Sequence, residues 1–224
     1  MNVIVPFGYY VGADVINYDF KDLRKDDRIV LNGLQRFRNP DAQHTIDIQT
    51  QTQDYCTEHY LRILETYPAL RDLIEARFNM FAYKILGKDY KFKISTSWLT
   101  KLEAGDGIHP HSHHNCYYSG ILYFGKDYSD AVHLVLGNPV PDTVSNSFPF
   151  GDEHNIMATD FTLQPFTGAL YFWPSHIKHF SGPHMGESRV SLPFNLVATE
   201  NIYNGDSTIK AEWVKPVNYE DADD

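Results

Sequence analysis

Residues 168–197 read GALYFWPSHIKHFSGPHMGESRVSLPFNLV and contain two short apolar runs separated by turn-forming residues. The runs Gly168–Trp173 and Arg189–Val197 are rich in aromatic and β-branched residues, as β-strands are. Similar runs precede them at 119–124, 132–136 and 159–163. Short strands at regular spacing, with turn signals between them, are typical of a β-sandwich or barrel. The sequence therefore predicts a mainly β protein.

A helical segment precedes these strands. From about Gln53 to Leu86, apolar residues recur at three- and four-residue steps, which is the period of an amphipathic helix. Pro68 interrupts this pattern and favours two helices over one. The expected architecture is a small antiparallel barrel with helical support. A single domain is expected, with mixed and helical support over 1–88, a β core over 89–200 and a C-terminal extension over 201–224.

The composition narrows the functional classes. A formal net charge of −10 argues against a nucleic-acid partner, because neutralising phosphates requires basic patches. The chain has no apolar run of membrane-spanning length, and its N-terminus lacks the basic and apolar regions of a secretory signal. Cys56 and Cys116 make no disulfide framework, which favours a reduced compartment. We therefore expect a cytoplasmic protein without a membrane partner.

Histidine is concentrated in two windows, at 109–114 and 176–184. In a strand, residues two apart point to the same face, so His109, His111 and His113 could converge while His114 faces away. Imidazoles without thiolates suit Fe(II), Zn(II) or Cu(II), and the absence of a Cys-x-x-Cys pair argues against a structural zinc site. Arg189, ten residues past His179, would provide a cation for an anionic co-substrate.

Taken together, these motifs resemble the 2OG-Fe(II) oxygenase family found in marine bacteria and their phages, and more distantly the prolyl hydroxylases. The resemblance covers residues 90–197 and rests on four segments: His111-Ser112-His113, Ser119–Phe124, Pro165–Ser175, and His179 with Arg189-Val190-Ser191. It implies a double-stranded β-helix of the jelly-roll or cupin type. It also implies Fe(II) as cofactor and 2-oxoglutarate as co-substrate.

The resemblance assigns roles to individual residues. It implies that His111, His113 and His179 bind the metal, with no catalytic residue beyond these ligands. Arg189 would pair with the far carboxylate of 2-oxoglutarate, Tyr123 would hydrogen-bond to the same carboxylate, and Ser191 would assist as the neighbour of Arg189 on the same face.

The near histidine pair departs from the family's pattern. The usual triad is His-x-Asp or His-x-Glu with a distal histidine, whereas His113 stands here at the carboxylate's place. Two alternatives remain open at this point. Glu103 or Asp106 could reach the metal from the preceding loop, or His109 and His111 could form the near pair.

The expected activity is O₂-dependent hydroxylation of an unidentified small-molecule or peptide substrate, in the cytoplasm or in a host cytoplasm if the gene is phage-encoded. A homodimer is left open. The first alternative is a three-His cupin-type metalloenzyme that does not use 2-oxoglutarate. The second is a non-catalytic virion or binding protein that keeps the fold. Arg189 and Tyr123 discriminate against the first alternative, which needs no side chains to bind a dicarboxylate. Release of succinate by uncoupled turnover of 2-oxoglutarate would distinguish the second.

Overall fold

The structure, a computed structural model, describes residues 1–4, 9–31, 61–126, 128, 131–138, 160–186 and 188–199. Cys56 and the predicted C-terminal extension lie outside these ranges. The described strands are β1 (Asn2–Ile4), β2 (Val11–Val15), β3 (Val30–Leu31), β4 (Phe92–Ser97), β5 (Thr100–Glu103), β6 (Ile108–His111), β7 (Tyr118–Tyr123), β8 (Leu134–Gly137), β9 (Asp160–Leu163), β10 (Ala169–Pro174), β11 (His179–Ser181) and β12 (Ser188–Ala198). The helices are a 3-10 turn (Leu23–Lys25), α1 (Ile63–Thr66) and α2 (Pro68–Leu86).

Eight of these strands pair as a nested set. β5 pairs with β12, β6 with β11, β7 with β10 and β8 with β9, and every pair is antiparallel. Successive pairs alternate between an eight-stranded sheet, the larger sheet, and a four-stranded sheet, the smaller sheet. This pattern is one long antiparallel hairpin wound into a double-stranded β-helix, so the predicted fold class is confirmed.

The predicted closure into a barrel needs a correction. The strand order in the smaller sheet is β6-β11-β8-β9, and its edge strands pair with no described strand of the larger sheet. A barrel requires hydrogen bonding to continue around the whole circumference. The described β core is therefore an open jelly roll of two facing sheets.

The two helices lie against the outer face of the larger sheet. α1 ends at Thr66 and α2 begins at Pro68, which confirms the predicted break; the first residues of the predicted helical segment, from Gln53, lie outside the described ranges. Proline suits the first turn of a helix because its missing N–H has no intrahelical partner there. The buried residues of α2 share one core with those of the outer sheet face, including Ile74, Phe78, Phe172 and Phe194. Burying each such side chain contributes about 1.5–3 kcal/mol. No helix in the described ranges is both long and apolar enough to cross a bilayer.

A second core fills the space between the sheets and defines the inner face of the larger sheet. It joins Tyr123 and Trp173 of the larger sheet to Leu134 and Leu136 of the smaller one. Side chains alternate along a strand. Because Leu192, Phe194 and Leu196 of β12 belong to the helix-side core, the intervening residues face inward: Arg189, Ser191, Pro193 and Asn195.

Candidate metal centre

Three histidines lie close together in the smaller sheet, where β6 ends and β11 begins. His111 ends β6, His179 begins β11, and the two residues are directly paired. His113 lies two residues beyond His111, where its backbone N–H donates to the Ser175 carbonyl at 3.0 Å. The ring centroid of His179 lies 4.2 Å from that of His111 and 4.9 Å from that of His113. One ligand nitrogen from each ring lies within 4.8 Å of the others, a spacing that one first-row metal ion can draw together.

Each of the three rings has its Nδ1 next to an oxygen acceptor. The partners are the His109 carbonyl at 2.8 Å for His111, the Ile177 carbonyl at 3.2 Å for His179, and Asn195 Oδ1 at 2.6 Å for His113. A carbonyl oxygen can only accept, so Nδ1 carries the proton and donates it. The lone pair is then at Nε2 in all three rings, so Nε2 is the nitrogen that can coordinate a metal.

Burial keeps two of these rings, those of His113 and His179, neutral. It is the main cause that lowers the pKa of His179 to about 3, and the nearby His111 and His113 lower this pKa further. Burial also lowers the pKa of His113, against the opposing effect of its hydrogen bond to Asn195. A histidine whose pKa is lowered is unprotonated at neutral pH. Neutral imidazole is the form that coordinates metals, so protons compete little for these sites.

The histidines line a cavity of about 450 Å³ between the two sheets. This volume is in the range of small-molecule sites. Its other lining residues are uncharged, and they include Trp98, Ile108, Ile121, Leu134, Trp173, Pro193, Thr96, Thr100, Ser191 and Asn195. In the described part of the chain, the cavity can therefore accept a small ligand without offering it an acidic or basic side chain other than the imidazoles.

The structure keeps the alternative ligands out of the histidine cluster. Glu103 forms an ion pair with Lys101 at 3.0 Å. Asp106 is buried and its Oδ2 accepts the Glu103 backbone N–H at 2.7 Å, which stabilises the turn between β5 and β6. His109 is exposed. Among the described residues, the metal-competent group consists of His111, His113 and His179.

Arg189 and Tyr123 form a second polar group on the inner face of the larger sheet. They are 1% and 0% exposed, and the Arg189 guanidinium carbon lies 5.6 Å from the centroid of the Tyr123 ring. Arg189 Nη1 donates to the Val132 carbonyl at 2.8 Å. Among the described residues, its Nε and Nη2 and the Tyr123 hydroxyl have no hydrogen-bond partner, and no carboxylate forms an ion pair with Arg189. Leaving a guanidinium buried and unpaired is costly, so the arrangement fits an anionic ligand.

Ser191 connects this polar group with the cavity. It is paired in register with Tyr123 on β7 and with Thr100 on β5, and its Oγ lies 2.8 Å from Thr100 Oγ1. Arg189 and Tyr123 do not themselves line the cavity. Ser191, two residues from Arg189, and Ile121, two residues from Tyr123, lie on the same face and line the cavity. A ligand that reached from the histidines to Arg189 would pass Ser191.

Asn195 is a site residue that the sequence analysis missed. Its Oδ1 contacts the His113 ring across 82 residues of sequence. A signal was available, since Arg189, Ser191, Pro193 and Asn195 follow one another at two-residue steps on one strand. Extending the alternation beyond Ser191 would have placed Asn195 on the same face.

Comparison with known proteins gives one family match. Residues 96–195 match the family model described as "Putative 2OG-Fe(II) oxygenase". This segment includes the three histidines, Tyr123, Arg189, Ser191 and Asn195. The resemblance predicted from the sequence is thereby confirmed for this part of the chain, while the origin in marine bacteria or phages stays a prediction. No curated protein matches the chain significantly.

Several solved structures resemble the chain at low sequence identity. An oxidoreductase of the 2OG-Fe(II) oxygenase family from Burkholderia pseudomallei is 14% identical, with a TM-score of 0.43 over 57% of this chain and 55% of that one. HygX from Streptomyces hygroscopicus, solved with iron bound, is 10% identical, with a TM-score of 0.44 over 69% and 77%. A prolyl-4-hydroxylase from Pseudomonas putida is 15% identical, with a TM-score of 0.36 over 55% and 61%. The matched region thus spans just over half of the Burkholderia protein, and the fold assignment rests on the nested strand pairs.

Proposed function

We propose that this protein is a non-haem, Fe(II)- and 2-oxoglutarate-dependent oxygenase that hydroxylates a small-molecule or peptide substrate. The observation that carries the proposal is the buried guanidinium of Arg189, which forms no ion pair with any described residue and lies on the same sheet face as residues around the histidine cavity. A metal centre alone has no need of a second buried cation. A dicarboxylate that chelates the metal at one end needs a cation for the other.

The three histidines would hold Fe(II) through Nε2 and leave the remaining coordination positions open. Bound there, Fe(II) would provide the oxygen activation that no side chain can perform. Three neutral ligands leave the full charge of the metal uncompensated, whereas the usual triad contributes one carboxylate. The dianionic 2-oxoglutarate would therefore be favoured electrostatically at this centre.

The remaining residues would position the co-substrate and exclude water. The planar fork of Arg189 matches a carboxylate in bidentate geometry, and the Tyr123 hydroxyl can donate to the same carboxylate. Ser191 would contact the ligand between its two ends. The mostly apolar lining, including Ile121, Leu134 and Trp173, would lower the local dielectric and strengthen these charge-dependent contacts.

The three-His cupin-type enzyme is the second candidate, because the histidine cluster contains no carboxylate. It shares the proposed metal site and differs in having no use for Arg189. The two candidates therefore diverge on one measurement, which is the affinity of the Fe(II)-loaded protein for 2-oxoglutarate.

Anaerobic titration tests the proposal. We expect the protein to bind one Fe(II), and the Fe(II) form to bind one 2-oxoglutarate with the appearance of a weak visible charge-transfer band. Admission of O₂ should then release succinate, even without substrate, at a slow uncoupled rate. Iron binding without 2-oxoglutarate binding would support the cupin-type alternative. Failure to bind both Fe(II) and 2-oxoglutarate would support the interpretation as a non-catalytic protein.

Tyr123→Phe tests the proposed binding of the far carboxylate of 2-oxoglutarate by Arg189 and Tyr123. The substitution removes one hydroxyl that has no hydrogen-bond partner among the described residues, so the fold should be preserved and only the binding of 2-oxoglutarate should weaken. We expect about tenfold weaker 2-oxoglutarate binding to the Fe(II) form, the value of one hydrogen bond to a charged group. Calorimetry without oxygen measures this change.

Tyr171→Phe is the matched control for that variant. Tyr171 lies in the same core between the sheets, but its hydroxyl already donates to the Gln164 carbonyl at 2.8 Å. Its loss should leave 2-oxoglutarate affinity unchanged. Equal effects of the two substitutions would contradict a specific role for Tyr123.

A further inference from the structure

A row of polar side chains crosses the inner face of the larger sheet behind His113. Thr96 on β4, Asn195 on β12 and Ser119 on β7 are paired in register, so their side chains lie side by side on one face. Asn195 Nδ2 donates to Thr96 Oγ1 at 3.0 Å, and Ser119 Oγ donates to Asn195 Oδ1 at 3.0 Å. In the structure the amide lies with its nitrogen towards Thr96 and its oxygen towards Ser119 and the ring of His113.

The ring nitrogen that faces this row is Nδ1. It lies 2.6 Å from Asn195 Oδ1 and 2.9 Å from Ser119 Oγ. With the amide oxygen on this side, an unprotonated Nδ1 would place two lone pairs against each other. A protonated Nδ1 instead donates to that oxygen, and the lone pair moves to Nε2 on the cavity side.

His113 differs in this respect from the other two rings. His111 and His179 are oriented by backbone carbonyls two residues earlier in their own segments, at His109 and Ile177. His113 is the ring whose Nδ1 partner is a side chain from another strand. Its tautomer therefore depends on residues that a substitution can remove.

We propose that Asn195, held by Thr96 and Ser119, is a positioning residue that fixes the tautomer of His113 and so makes this histidine a metal ligand. The metal-binding part of this inference rests on the proposed function, whereas the tautomer is a property of the metal-free protein. The amide oxygen of Asn195 faces His113 and Ser119, and its nitrogen faces Thr96. Asn195 acts through the ring of His113.

Two substitutions distinguish the effect of losing the acceptor oxygen from the effect of changing the side-chain volume. Asn195→Leu keeps a similar volume and removes the acceptor. Asn195→Asp keeps an acceptor oxygen opposite Nδ1, and the Thr96 hydroxyl can turn to donate to the new carboxylate. If the leucine variant fails to fold, Asn195→Ala removes the same acceptor without a branched side chain.

The first measurement is made on the metal-free protein. In ¹⁵N-histidine-labelled protein at pH 8, long-range proton–nitrogen correlations distinguish the two neutral tautomers, and the spectrum of His113→Ala assigns the His113 signals. We expect His113 to carry its proton on Nδ1 in the wild type and in Asn195→Asp, and to shift towards Nε2–H in Asn195→Leu. His111 is the internal control, since its partner is a backbone carbonyl and its tautomer should not change in any variant.

The second measurement is Co(II) affinity, determined by competition with a chelator. We expect Asn195→Leu to bind Co(II) about 10–100-fold more weakly, the usual consequence of losing the partner behind a ligating histidine. Asn195→Asp should recover most of this affinity. A purely structural role would lower the thermal midpoint of the metal-free protein without moving the tautomer.

The outcomes separate this inference from the proposed function. An Nε2–H tautomer of His113 in the wild type, or an unchanged Nδ1–H tautomer in Asn195→Leu, would overturn the role of Asn195. A shifted tautomer with unchanged Co(II) affinity would overturn the assignment of His113 as a ligand. Both expected results, combined with absent 2-oxoglutarate binding, would leave this inference standing and defeat the oxygenase proposal.

Discussion

Replacing Arg189 with alanine should weaken the binding of 2-oxoglutarate to the Fe(II) form while iron binding is retained. Truncating one member of a buried, hydrogen-bonded charge pair costs about 2–5 kcal/mol, which corresponds to roughly 30- to several-thousand-fold in affinity. The guanidinium is 1% exposed, so water cannot replace it efficiently. Calorimetric titration with Fe(II) present and oxygen excluded measures the loss.

Two controls make this result specific. Arg189→Lys should recover part of the affinity, because an ammonium group offers a point charge and no planar fork. Arg28→Ala should leave 2-oxoglutarate affinity unchanged, since that guanidinium is already paired with Asp26 and is not part of the cavity lining. If wild type and Arg189→Ala bound 2-oxoglutarate equally, the three-His enzyme without this co-substrate would become the better interpretation.

Replacing His179 with alanine should abolish stoichiometric Fe(II) binding. The His179 ring lies 4.2 Å from that of His111 and 4.9 Å from that of His113, and it is buried against the Trp173 indole, 5.0 Å away. Two remaining imidazoles, without a third ligand on the β11 side, should hold iron only weakly. Anaerobic equilibrium dialysis followed by iron analysis measures the stoichiometry.

His114→Ala is the matched control for the metal site. His114 is exposed and does not belong to the cluster of three histidines. Its substitution should preserve one bound iron per chain. Retention of one iron with unchanged affinity in the His179 variant would show that other residues bind the metal.

Local patterns in the sequence were sufficient for the fold class and for the strands β7, β8, β9, β10 and β12. The runs predicted at 168–173 and 189–197 correspond to β10 and β12 within one residue at each end. The break at Pro68 could equally be predicted from the sequence, since it follows from the chemistry of one residue. The strands of the N-terminal region and the short β11 were not predicted. β1, β3 and β11 have only two or three residues, too few to show an alternation. β2, β3 and β11 pair with the distant strands β10, β5 and β6.

The sequence by itself determined which residues could form the site, because two-residue alternation is a local property of the strand. It brought His111 and His113 together as a pair and placed Arg189 and Ser191 on one face. Only the tertiary structure showed that His113 lies together with His111 and His179, whereas Asp106 is engaged in its own turn and Glu103 is paired with Lys101. It likewise revealed the unpaired state of Arg189 and the contact of Asn195 with His113. These features depend on the register between strands far apart in the chain, and no local pattern encodes that register.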